Sequence, residues 1–207
     1  MEREETVLLH EILGESPVGI CPPGGWKADL PQMDYLRREN GWEWFAQSSF
    51  VLRRKAERIG DRLYRLTTVW ENTGEETSFV PVVIASSYDR YIRLEIPQKN
   101  GIWERYDPEY GAFPELLPAD RFVLPALSVS RTYLLDFAVF TPEKGSVGCF
   151  TSGWEGQGRH WVLFPETTLK KGEKTEKTVF IVILPSEGEG GKAILQAARD
   201  VLEGRRP

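Results

Sequence analysis

Metal-binding and redox side chains are scarce in this chain: its 207 residues include two histidines, His10 and His160, and two cysteines, Cys21 and Cys149. Neither histidine has a second ligand two or four positions on, and the cysteines form no CxxC pair, so metal-site spacing is missing. Walker loops, HExxH helices and G-x-S-x-G elbows are also missing. There is no basic excess: 26 Lys plus Arg stand against 31 Asp plus Glu, a net charge of −5. That balance excludes general electrostatic attraction to nucleic acid or an anionic membrane. No stretch approaches the ~20 apolar residues that cross a bilayer. The opening Met-Glu-Arg-Glu-Glu is acidic where a secretory signal begins basic. These absences point to a cytoplasmic chain with no metal or other cofactor, no nucleic-acid partner and no membrane partner. Its cysteines read as two unrelated thiols, with one long-range disulfide left open.

Aromatic residues are abundant: seven Trp, seven Tyr and ten Phe. With 41% hydrophobic and 28% charged residues, the chain is globular. Residues 91–96 alternate, Ile92, Leu94 and Ile96 against Tyr91, Arg93 and Glu95, which predicts a strand with one wet face. Residues 133–140 and 179–184 are apolar at almost every position and predict strands covered on both faces. In the strand expected over 79–85, Pro81 lacks an N–H and predicts an edge or a bulge. Asn72-Thr73-Gly74-Glu75 and Lys170-Lys171-Gly172-Glu173-Lys174 read as solvated hairpin ends between successive strands, Gly74 being free to take a positive φ. Arg53-Arg54-Lys55-Ala56-Glu57-Arg58 is locally basic, but alternation on a strand makes it a solvated outer surface.

Residues 14–41, with four prolines, read as a long ordered loop across the sheets, with Trp26 and Trp42 as anchors. Residues 98–120 read as a second long connection. Lys192 to Glu203 carries Ile194, Leu195, Ala198, Val201 and Leu202 at helical spacing, and Gly204 follows as a stop. The fold class is therefore all-β: a large antiparallel sandwich over 1–187, including the 14–41 loop, with a C-terminal helix and tail over 188–207.

Chemistry concentrates in Gly153-Trp154-Glu155-Gly156-Gln157-Gly158-Arg159-His160-Trp161. Glycines bring backbone close to a ligand, Trp154 and Trp161 offer flat apolar faces, and Glu155, Arg159 and His160 supply hydrogen bonds. A sugar, with C–H patches on its ring faces and hydroxyls at its rim, suits such walls. Trp103 and Tyr106 in the second long connection extend the candidate ligand-binding set. The same pattern also suits a glycine-rich hairpin whose tryptophans pack in the core. Glu155 and Glu166 flank a strand that separates them by roughly 20 Å, too far for the carboxylate pair of a glycosidase. Catalytic residues are not identified. Asp136, among apolar neighbours, needs a partner, and Arg131 and Arg93 are the candidates.

Three stretches carry a resemblance: 67–74 (Thr-Thr-Val-Trp-Glu-Asn-Thr-Gly), 160–166, and 168–173 leading into 179–185. Together they resemble the galactose-mutarotase-like supersandwich domains of carbohydrate-active enzymes. The closing helix is similar to the linker helix that follows such domains before an (α/α) barrel. The resemblance implies a carbohydrate-binding or accessory domain or subunit of a glycoside-processing enzyme. Its ligand would be a carbohydrate, and a catalytic domain or subunit would dock at the C-terminal helix. A stand-alone epimerase, mutarotase-like enzyme or lyase using His160 stays open beside it, as does a purely structural interaction subunit.

Overall fold

The computed structural model describes residues 18–21, 33–38, 41–46, 50–87, 93–97, 99–106, 124, 128–131, 135–143, 148–154, 157–185 and 191–205. Strands dominate, and every described ladder is antiparallel. One sheet has five strands. Its path runs β1 (Val18–Cys21), β6 (Thr77–Ser87), β12 (Gln157–Leu163) and β11 (Gly148–Trp154), with β13 (Thr167–Leu169) pairing the start of β6. The other sheet has nine. Its order is β2 (Met33–Arg38), β3 (Gly41–Ala46), β4 (Phe50–Gly60), β5 (Leu63–Asn72), β14 (Lys174–Pro185), β10 (Leu135–Phe140), β9 (Ser128–Arg131), β7 (Arg93–Pro97) and β8 (Trp103–Tyr106). The expected all-β antiparallel sandwich is therefore the observed architecture.

Alternation along β5 defines the two faces of the large sheet. Tyr64, Leu66, Thr68, Trp70 and Asn72 are buried, while Arg65 is exposed and Thr67, Val69 and Glu71 are half-buried. The buried set meets the second sheet, where Phe79, Val83, Val162 and Phe164 are buried in turn. Phe50 and Phe79 join the layers with ring centroids 4.7 Å apart, a separation typical of tilted aromatic pairs.

The 137–140 stretch of β10 and the 179–184 stretch of β14 are apolar on both faces because both faces are covered. Val139, Val179, Ile181 and Ile183 line the interior. Ala138, Phe140 and Val182 turn outward and are buried with Ile194, Ala197 and Ala198 of the helix α1 (Lys192–Leu202). Alanines on both sides of this contact let helix and sheet approach closely. The helix ends where the sequence predicts. Gly204 has φ +74°, its N–H donates to Val201 O, and the Arg205 N–H donates to Asp200 O, the paired bonds of a Schellman cap.

Three expectations change or are narrowed. The 14–41 stretch is not one loop where it is described, since β1 and β2 lie within it and Trp42 stands in β3. Pro81 does not lie in an edge strand; it sits where the register slips by one residue, two positions of β6 (80 and 81) facing three (164–166), the irregularity that its missing N–H leads one to expect. β6 has β1 on one side and β12 then β13 on the other, and Pro81 falls at the changeover between those two. Its carbonyl accepts from the Phe164 N–H. In an antiparallel pair the N–H and C=O of one residue face the same neighbour, so the absent N–H costs only the return bond at a place where pairing is already ending.

The third change concerns the turns after Trp70 and after Leu169, which do not close hairpins. β5 and β6 belong to different sheets, as do β13 and β14, so each turn carries the chain from one layer to the other. Asn72 ties the two corners together and is wholly buried. Its Nδ2 donates to Glu75 O (2.6 Å) and Leu169 O (2.8 Å), and its Oδ1 accepts from the Gly74 N–H (2.9 Å). Its backbone N–H donates to Glu173 O, and its C=O accepts from the Gly172 N–H. Gly74 is not among the described glycines with positive φ; Gly172, at +82°, is. The tight β4–β5 turn at Gly60-Asp61-Arg62 went unnoticed in the sequence because Arg62, not a glycine, takes the left-handed conformation there, at φ 53°.

Cys21 lies on β1 and Cys149 on β11, with β6 and β12 between them. Three strand spacings come to ~14 Å, about twice the longest Cα separation a disulfide spans. The fold therefore keeps these thiols apart. Melting temperatures with and without reductant should coincide, and a thiol titration of the unfolded chain should count two free groups; an intrachain crosslink in the folded protein would contradict the sheet order. Removing the corner staple should be costly. Asn72→Ala strands Glu75 O, Leu169 O and the Gly74 N–H, and urea unfolding should show a loss of about 3 kcal/mol. Asn72→Asp should be less stable at pH 7 than at pH 4, because a carboxyl facing two carbonyl oxygens is tolerated only with its proton.

Candidate functional site

The hairpin of β11 and β12 holds most of the residues that the sequence singles out. Register pairs Trp154 with Gln157, Ser152 with Arg159, Thr151 with His160 and Phe150 with Trp161. Directly opposed residues share a face, and alternate residues along a strand do not. Trp154, Arg159 and Trp161 therefore occupy one face of the hairpin. His160 falls on the other, in line with wholly buried Val162. Its neighbours across the sheet are Thr151 and Ala85. Glu155 lies outside the described residues.

Trp103 and Tyr106 are placed elsewhere, on β8 at the far edge of the nine-stranded sheet. They oppose Pro97 and Leu94 of β7 and stand on opposite faces of that edge. The structure thus gathers Trp154, Arg159 and Trp161 and separates them from His160, Trp103 and Tyr106. Glu166 is exposed between β12 and β13. Asp136 is 3% exposed, and register places Arg131 opposite it and Arg93 opposite Arg131, so both expected partners share its row.

Two cross-strand rows on the inner face of the nine-stranded sheet escaped the sequence reading. The first runs Arg37, Trp42, Arg54, Thr68, Lys177 across β2, β3, β4, β5 and β14. The second runs Tyr35, Trp44, Leu52, Trp70, Thr175. Each strand step displaces the partner residue by an offset that only the register supplies, so nothing in the linear order links positions 37, 54 and 177. The inward face is certified by Thr68 and Trp70, both fully buried. Lys177 Nζ contacts both carboxylate oxygens of Glu143 at 3.1 Å and lies 5.3 Å from the centre of the Phe164 ring. Thr68 Oγ1 and Trp70 Nε1 are buried without a hydrogen-bond partner.

The outer face of the same strands has a different electrostatic order. Glu71 Oε2 takes Arg53 at 2.7 Å and Lys174 at 3.1 Å, and Glu57 takes Lys55 and Arg65. Arg53 and then Lys174 hold the Glu71 carboxyl below the ordinary carboxylate value, and Lys55 and then Arg65 do the same for Glu57. Arg53 and Lys55 of the basic run are exposed members of this ladder, as expected for a solvated surface.

No family model matches the chain, and no curated protein matches it by sequence. Solved structures do match. A GH36 alpha-galactosidase from Geobacillus stearothermophilus superposes over 81% of this chain and 30% of its own, with a TM-score of 0.56 at 9% identity. The alpha-galactosidase from Lactobacillus brevis covers 82% of this chain and 26% of its own, with a TM-score of 0.54 at 7% identity. The antiparallel β-sandwich expected from the sequence is thus a fold that this chain shares with part of these galactosidases. At such identities the fold alone is shared. The chain spans less than a third of the length of either galactosidase. Among the described residues no helix is long and apolar enough to cross a membrane.

Because Glu71 and Glu57 titrate below their ordinary value of 4.5, their ion pairs stabilise the fold fully above that pH. The contribution disappears as pH falls through the lowered folded values. Glu71→Gln should lower the urea midpoint slightly at pH 6 and leave it at the wild-type value at pH 2, with the pH 6 gap narrowing in 1 M NaCl. A gap independent of pH would show that these pairs contribute nothing.

Proposed function

We propose that this chain is a carbohydrate-binding or accessory sandwich that works beside the catalytic domain or subunit of a glycoside-processing enzyme. One observation carries the reading: 81–82% of this chain corresponds to under a third of chains that are themselves alpha-galactosidases. The remaining length of those chains is where a catalytic partner of this domain has its counterpart. Sugar contact is assigned to the β11–β12 hairpin, where Trp154, Arg159 and Trp161 share one face. Trp103 and Tyr106 form a separate candidate position on β8. A catalytic partner that docks at α1 would meet its polar side, with Lys192, Gln196, Arg199 and Glu203. The apolar stripe is already buried on β10 and β14. A stand-alone enzyme built on His160 gains no support from the register, which sets His160 apart from the tryptophans and beside Thr151 and Ala85.

Isothermal titration of the chain against neutral mono- and oligosaccharides tests the reading. Saturable binding is expected, with Trp154→Ala weakening it at least tenfold, about 1.4 kcal/mol. The melting curve should stay close to wild type, because Trp154 occupies the hairpin face opposite Val162. Silence across neutral and acidic sugars would overturn the carbohydrate reading.

A further inference from the structure

The chain contains three asparagines, Asn40, Asn72 and Asn100, in unlike surroundings. Asn72 is wholly buried, and two carbonyl oxygens hold its Nδ2 at 2.6 and 2.8 Å. Asn100 stands in the turn between β7 and β8, where Lys99, Asn100, Gly101 and Ile102 are all exposed. Ile102 is 62% exposed although its side chain is apolar, so the turn projects into water. Among the described residues none accepts from the Asn100 Nδ2, while its Oδ1 accepts from the Ile102 N–H at 3.0 Å. Asn40 lies outside the described residues, and Gly41 after it is held in the ladder opposite Arg38.

Gly101, the residue after Asn100, has φ +83°. A Cβ built on it would meet nothing within 4 Å, so the space around the Asn100–Gly101 peptide is open. With no side chain of its own, Gly101 also leaves its backbone nitrogen uncovered. The hydrogen bond from the Ile102 N–H to Asn100 Oδ1 closes an Asx turn, which folds the side chain back over the peptide between them. The side-chain carbonyl thus lies over the peptide whose nitrogen can attack it. The same N–H polarises that carbonyl and already faces the oxygen that takes up negative charge when a nucleophile adds.

We propose that Asn100 is a self-modification site, at which the folded chain converts the asparagine to aspartate and isoaspartate through a cyclic imide. The Gly101 nitrogen gives its proton to hydroxide and attacks Cγ of Asn100. A C–N bond forms, and charge gathers on Oδ1 beside the Ile102 N–H. The Cγ–Nδ2 bond then breaks, and ammonia leaves with a proton taken from water. Water opens the five-membered imide at either carbonyl. One opening gives aspartate; the other gives isoaspartate, whose main chain runs through the side-chain methylene. One water is consumed, one ammonia is released, and nothing is oxidised or reduced. Asn72 is closed to this course in the folded chain, because its leaving nitrogen is held and buried. Isoaspartate adds one carbon to the β7–β8 connection. Turn length sets hairpin register, here Pro97 opposite Trp103, and β8 ends its sheet among the described strands. The product therefore loosens β8 and leaves the interior strand β14 untouched.

Incubation of the folded protein at pH 8 and 37 °C, then tryptic digestion and mass spectrometry, tests the site. Each asparagine falls in its own peptide: 39–53, 66–90 and 100–105. Peptide 100–105 should gain one mass unit and split into two chromatographic isomers, at least tenfold faster than 66–90 gains mass. Gly101→Ala, which strains the positive φ and sets a methyl beside the attacking nitrogen, should slow the gain at least tenfold. Should that variant fail to fold, Asn100→Gln, which would need a larger ring, should abolish the gain. Hydrogen exchange of the aged protein should quicken over 94–106 and stay unchanged over 179–183. An unchanged 100–105 peptide, or a gain that survives Asn100→Gln, would overturn the proposal. Equal gains in 66–90 and 100–105 would overturn it too, by placing the reaction in the unfolded chain. Unaltered exchange over 94–106 would overturn the loosening of β8.

Discussion

A single buried amide holds the two layers in register. Asn72 sits where the chain leaves the large sheet after β5, and the second crossing, from β13 back into β14, passes directly beside it. The side chain and backbone of this one residue satisfy groups from Gly74, Glu75, Leu169, Gly172 and Glu173. Corners between layers expose backbone groups that no ladder can pair, and burying them unpaired takes a large share of a domain's marginal stability. An amide supplies two donors and an acceptor in one plane, which neither Asp nor Ser matches. Both corners meet at a residue with this inventory.

From that junction the large sheet acquires two unlike faces. Outward, alternating charges form ladders in water near Glu57 and Glu71, and further along α1 seals an apolar patch. Inward, the sheet is aliphatic at Val139, Val179, Ile181 and Ile183, and polar residues enter with Lys177 and Thr175 of the same β14.

Much of the fold was legible in the linear pattern. The double-sided stretches of β10 and β14 and the helix with its Gly204 stop follow from period and composition, and the structure shows each; of the basic run, Arg53 and Lys55 are exposed, while register sets Arg54 opposite buried Thr68. Other elements were not. Residues 33–38 read as loop because prolines and glycines surround them, and β2 is a strand only by virtue of pairing with β3. The two glycine-bearing turns resembled hairpins because a turn reports a change of direction and not the sheet that receives the chain. Of the expected site, Trp154, Arg159 and Trp161 come together, since their spacing matches a tight hairpin. His160 parts from them through the two-residue period of the same strand.

The order of residues by itself determined the class of the molecule: alternation and apolar runs select antiparallel strands, and the heptad-like stripe before Gly204 selects one helix. These are local properties, settled by side-chain direction over a few neighbouring residues. Which strands lie side by side was decided only in three dimensions, because register depends on pairings between segments up to about a hundred residues apart. That tertiary choice set Cys21 and Cys149 on opposite edges, brought the two corners onto Asn72, and lined up Arg37, Trp42 and Arg54 in one row.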